Sequence, residues 1–98
     1  MVVDRAFRRP AADLLGMVVT SRAGRDAGDR YVVIATAGEE MVLVADGRRR
    51  GAGRPKRKNV KHLVIHGPAP ALAEHLRRGG TVTDEELRAA LGAATEGQ

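Results

Sequence analysis

Residues 16–47 read GMVVTSRAGRDAGDRYVVIATAGEEMVLVADG. Three short runs, GMVVTS, RYVVIAT and MVLVA, are rich in β-branched residues and are separated by the glycine-containing breaks AGRDAGD and AGEE. The third run ends at Asp46-Gly47. Side chains of this type suit a pleated, half-buried surface, and glycine punctuates strands, so the segment predicts an antiparallel meander. HLVIH at 62–66, closed by Gly67 and Pro68, predicts a further strand. The runs are nearly continuously apolar rather than alternating, which implies a curled sheet covered on both faces over part of its length. With four to five short strands and tight turns, a small SH3-like barrel is the economical arrangement, because closure hides strand edges.

Outward from this segment the pattern changes. Residues 4–14 are mixed and contain Pro10, so a short helix and an irregular lead-in are both open. Downstream, Pro70 suits the first turn of a helix. Leu72, Ala73 and Leu76 form its apolar stripe, Arg77 and Arg78 favour its C-terminal end, and Gly79 supplies the stop. A second helix starts with capping-box spacing between Thr83 and Glu86 and staple spacing between Val82 and Leu87. Leu87, Ala90, Leu91 and Ala94 continue its stripe. The chain thus divides into a lead-in at 1–13, a mainly β unit at 14–67 and two short C-terminal helices within 68–98. Packing of the helices on each other or on the barrel is expected, and docking of a partner is the alternative.

The 98 residues carry a net charge of +5, and its location is informative. Residues 1–46 hold six Arg and seven acids, and residues 67–98 three Arg and five acids. Residues 47–66 hold eight Lys or Arg and no acid. A single-sign block between mildly acidic flanks marks an anion-binding surface, or else a solvated loop without a partner. The chain has fourteen Arg but only three Lys, and Lys56, Lys58 and Lys61 all lie in the block. The two cations differ in hydration and geometry, so this placement suggests that point charges suit the segment.

Several chemistries find no support. Cysteine is absent, which removes disulfides, thiolate metal sites and cysteine nucleophiles, and fits a reducing compartment. Ser21 is the one serine and lacks a nucleophile-elbow context. His62 and His66, four apart, would share a strand face but lie about 13 Å apart, too far for one metal. Neither a Walker-type nor a dinucleotide-type glycine motif is present. No catalytic residue, metal or cofactor is therefore expected. No apolar run of signal-peptide or membrane-span length occurs, so a cytoplasmic location is the expectation.

What remains is the basic segment and the first turn. Gly24 and Gly28 permit positive φ, Asp26 offers an acceptor for local backbone hydrogen bonds, and Arg22, Arg25 and Arg30 flank the turn. G-M-V-V-T-S-R-A-G-R-D-A-G resembles a KOW motif, the strand-turn-strand element of certain ribosomal proteins and transcription factors. Together with V-A-D-G-R-R-R and P-K-R-K-N-V-K-H-L further on, it resembles the bacterial KOW-domain RNA-binding proteins, which are related to a large-subunit ribosomal protein family of archaea and eukaryotes. The resemblance covers roughly residues 14–66, and T-D-E-E-L-R-A-A-L in the tail is also similar. Departures are Arg in place of the more usual Lys at several positions and the inserted look of Gly51-Ala52-Gly53. The resemblance implies an SH3-like barrel and RNA binding, with structured RNA, in particular ribosomal RNA or the ribosome, as partner.

The residues expected to meet RNA are Arg22, Gly24 and Arg25 of the turn, and Arg48, Arg49, Arg50, Arg54, Lys56, Arg57, Lys58, Asn59, Lys61 and His62 of the basic loop at 47–61 and its exit. Asn59 would cap the loop or read a base edge. With Phe7 and Tyr31 the only aromatics, stacking on several rings is not available, so recognition of the phosphate backbone of folded or duplex RNA is expected. Lys56, Lys58 and Lys61 lie in no apolar stripe, and their removal is expected to weaken binding without disturbing the fold. The alternatives are a protein-binding KOW module of the ribosome or transcription machinery, and a DNA-binding protein. Membrane association is not expected, and oligomeric state is not encoded legibly.

Overall fold

The computed structural model describes residues 10–96. Five strands form one antiparallel sheet: β1 (Met17–Ser21), β2 (Arg30–Thr36), β3 (Met41–Ala45), β4 (Lys56–Asn59) and β5 (Leu63–Pro68). Two helices follow, α1 (Pro70–Arg77) and α2 (Asp84–Glu96). The sheet order is β4-β3-β2-β1-β5, so the chain meanders through four strands and then returns to lie beside the first. Met17 faces Pro68 at one end of that last pairing and Ser21 faces Leu63 at the other.

The two outermost strands, β4 and β5, are joined by a single 3-10 turn, Val60–His62. So short a link holds the sheet edges close together and curls the sheet into a barrel-like form. Register shifts between Val18 and Val19 and between Val33 and Ala35 assist, because an unpaired residue bends a strand and increases its twist. The inner face gathers Val19, Tyr31, Val33, Val42, Val44 and Leu63 into one buried cluster. Ala11 and Leu14, from a 3-10 turn at Ala11–Leu14, join the same cluster from the lead-in. The part of the lead-in at residues 1–9 lies outside the described residues.

The outer face is covered by the helices. Val32 and Ala45 pack with Leu72 and Leu76 of α1 and with Val82 and Leu87, which accounts for strands that are apolar on both sides. The second helix begins as its sequence requires: Thr83 N–H donates to Glu86 Oε1 (2.8 Å) and Glu86 N–H to Thr83 Oγ1 (3.1 Å). No helix among the described residues is long and apolar enough to cross a membrane.

One expectation needs correction. Residues 47–61 are not a loop throughout, because Lys56–Asn59 is a strand, paired with β3 from Val44 opposite Lys56 to Met41 opposite Asn59. A KRKN tract lacks the apolar side chains by which buried strands are recognised. Its inward positions instead carry lysines, whose ammoniums are met by a carboxylate.

Candidate nucleic-acid interface

That carboxylate belongs to Asp26, at the centre of the turn between β1 and β2. Gly24 and Gly28 take φ values of +86° and +95°, a region that L side chains rarely adopt. They let the turn close on itself: Gly28 N–H donates to Ser21 O (2.8 Å) and Ala27 N–H to Gly24 O (3.2 Å). The result aims the Asp26 side chain inward, not at local backbone as its turn position suggested. Asp26 Oδ1 accepts from Ser21 Oγ (3.0 Å) and Lys58 Nζ (3.1 Å). Its Oδ2 accepts from Tyr31 OH (2.7 Å) and pairs with Lys56 Nζ (3.0 Å).

Burial pushes the Asp26 carboxyl up, but the hydrogen bonds from Tyr31, Lys56, Lys58 and Ser21 outweigh it and hold the group well below the usual carboxylate range. Burial, the hydrogen bond to Asp26 and the charges of Asp26, Asp29 and Asp46 together push the Tyr31 phenol well above its ordinary value. Asp26 therefore stays ionised at neutral pH, with Lys56 Nζ on one of its oxygens and Lys58 Nζ on the other.

This arrangement changes the standing of two lysines. Lys58 has a side chain only 9% exposed and donates a second bond to Ala23 O (3.3 Å), so it is an internal strut between β4 and the turn. Lys56 is 31% exposed and tied to the same carboxylate. The expectation that both could be removed without consequence for the fold does not survive this geometry. Lys61 is different: it is exposed, and Asn59 Oδ1 accepts its backbone N–H (3.0 Å), so Asn59 acts as a cap. Tyr31 is buried with its hydroxyl engaged and presents no ring for stacking. Phe7 lies outside the described residues.

The other cations lie around this strut. Arg22 N–H donates to His62 O (2.8 Å), which joins the turn to the exit of the basic segment. His62 itself sits in the 3-10 turn rather than on a strand, while His66 lies on β5 with its Nε2 2.6 Å from Thr20 Oγ1. Arg49 reaches to 3.8 Å from Asp29, which joins the same turn to the 48–50 tract. Arg57 points away from the lysines of its strand and donates weakly to Ala37 O (3.4 Å). Arg22, Arg25, Arg48, Arg50, Arg54 and Lys61 are exposed and form no ion pair among the described residues. Among the described residues, no group of three or more His, Cys, Asp or Glu is placed to hold a metal ion.

The backbone beneath these arginines is fixed by Asp46, which the sequence marks as the end of a strand but not as a support for the arginines. Asp46 Oδ1 accepts from the N–H groups of both Arg48 (2.8 Å) and Arg50 (2.9 Å), and Asp46 N–H donates to Arg50 O (2.9 Å). An Asp before a turn is a general signal for such bonds, and Asp46-Gly47 carried it. Asp26, Tyr31 and Ser21 had a subtler signal: lysines at alternate positions of a polar tract need an internal anion. No model of a known protein family matches this chain, and no curated protein matches it.

Proposed function

We propose that this is a cytoplasmic RNA-binding protein that grips the phosphate backbone of structured RNA, ribosomal RNA being the leading candidate. The observation that carries the reading is the set of exposed cations that form no ion pair among the described residues, on a backbone that the fold holds in place. Arg22 and Arg25 come from the turn, Arg48, Arg50 and Arg54 from the arginine loop and Lys61 from the turn after β4. Arg49 and Arg57 add two more exposed guanidiniums whose present contacts are weak. Planar guanidiniums suit phosphate oxygens, and fixed backbones lower the ordering cost of binding. With Tyr31 buried, the surface of the described residues offers charge and shape rather than an aromatic ring for stacking, which favours a duplex or folded target over a single strand. The resemblance to KOW-domain proteins points the same way.

The test is binding of a labelled RNA duplex followed by fluorescence anisotropy as salt is raised from dilute to physiological levels. If about five cations meet phosphates, log K should fall with log salt at a slope of roughly −3 to −5. Neutralising Arg50 or Arg54 should make that slope shallower by about one each. Binding that ignores salt, or no binding, overturns the reading. Equal competition by duplex DNA would shift it to general nucleic-acid binding, and an interaction that survives nuclease treatment of an extract would favour a protein partner.

A further inference from the structure

The loop from Gly47 to Arg54 is attached at a second place, to α2. Ala52 N–H donates to Asp84 Oδ1 (2.7 Å), and Arg88 Nη1 donates to Gly47 O (2.6 Å). Both acceptor and donor belong to the first two turns of α2. The approach is close enough that a Cβ on Gly47 would collide with the Asp84 carbonyl oxygen, and Gly47 also has φ +79°. A Cβ on Gly51 would come within 3.2 Å of the Asp84 carboxylate. Within the stretch that looks inserted in the sequence, Gly51 and Ala52 lie against the helix, whereas a Cβ on Gly53 would meet nothing within 4 Å.

We propose that Asp84 and Arg88 are positioning residues for the arginine loop, so that α2 belongs to the binding unit although it supplies no expected phosphate contact. The inference rests on the RNA-binding reading for its functional consequence, but the clamp itself does not. Asp84 holds the loop through one backbone amide, and Arg88 holds its start through one carbonyl. Between these two points and the Asp46 bonds, the backbone carrying Arg48, Arg49 and Arg50 is fixed at both ends. A fixed loop meets a phosphate surface without being ordered first, and releasing it should weaken binding.

The acidity of Asp84 makes the test decisive in sign. As a bystander anion beside an RNA-binding loop it would repel phosphate, and removing it would tighten binding. As a clamp, its removal should loosen binding. Asp84→Ala deletes the acceptor, whereas Asp84→Asn deletes the charge but keeps an oxygen for Ala52 N–H. Both variants lose the same favourable charge at the start of α2, so each controls for the other. Amide exchange at Ala52 should accelerate about tenfold or more in Asp84→Ala and stay near the native rate in Asp84→Asn. Affinity for the RNA duplex should fall several-fold in Asp84→Ala and be retained or improved in Asp84→Asn. Tighter binding by Asp84→Ala, or unchanged exchange at Ala52, overturns the proposal. If the native protein fails to bind the duplex, the function reading falls, and the exchange comparison still decides the clamp.

Discussion

Replacing Asp26 with Ala should be among the most destabilising single changes in the β unit. The substitution leaves the Lys58 ammonium, 9% exposed, with Ala23 O as its remaining partner and takes away the Tyr31 hydroxyl's acceptor. Removing one partner of a buried ion pair costs about 3–5 kcal/mol, because the charge left behind has lost both water and counter-ion. Total stability of a domain this size is about 5–10 kcal/mol, so the variant should be close to unfolding at ambient temperature. Its Tm should fall by about 12 °C or more, at 4–8 °C per kcal/mol. Lys58→Met is gentler, about 1–3 kcal/mol, since Asp26 keeps Lys56, Tyr31 and Ser21. The double variant Asp26→Ala/Lys58→Met removes both charges and should be more stable than Asp26→Ala alone, a non-additivity characteristic of a coupled pair. Thermal and urea unfolding at neutral pH, followed by circular dichroism, gives all three values. A loss under about 1 kcal/mol for Asp26→Ala, or a double variant no better than the single, would refute the strut.

The same cluster fixes the pH response. Folded Asp26 binds its proton more weakly than in the unfolded chain, so its contribution is complete above about pH 4 and is lost as acid is added. Urea midpoints should therefore drop more steeply between about pH 5 and pH 2 in the native protein than in Asp26→Asn. Tyr31 is the mirror case: its raised value makes its contribution complete below about pH 10 and lost above it, and Tyr31→Phe should flatten that alkaline limb. Lys61→Ala should leave the Tm within about 1 °C and weaken duplex binding, whereas Lys58→Ala should lower both, a contrast read by running melting and anisotropy on the same samples.

The legible parts of the fold were those whose side chains are governed by water. Val-rich runs at 17–21, 30–36 and 41–45 are strands because they bury on two faces, and Thr83 with Glu86 caps a helix because its first amides need acceptors. Gly24 and Gly28 marked the turn for a steric reason that holds in any context. The strand at Lys56–Asn59 was not legible, since its inward residues are lysines made tolerable by an aspartate thirty positions away. The exposed arginines were legible as a charge block, but not the division of labour within it, in which two lysines brace the barrel. The attachment of Ala52 to Asp84 left no local trace, because a single backbone amide carries it across 32 residues of chain.

The pairing of β1 with β5 sets the order in which this surface comes into being. Met17 meets Pro68 only after the whole basic segment has been threaded between them, which makes this ladder the longest-range pairing in the sheet. Pairings of high sequence separation form slowly, since a large loop must close before any contact rewards it. Arg22 is joined to His62, and the turn is set against the exit of the basic tract, only once that closure is made. A partly folded chain therefore carries all of its positive charge but not its arrangement, and under the proposed function it would attract a polyanion only loosely. On the RNA-binding proposal, shape-dependent grip would arrive with that last pairing, and completion of folding and acquisition of selectivity would be one event.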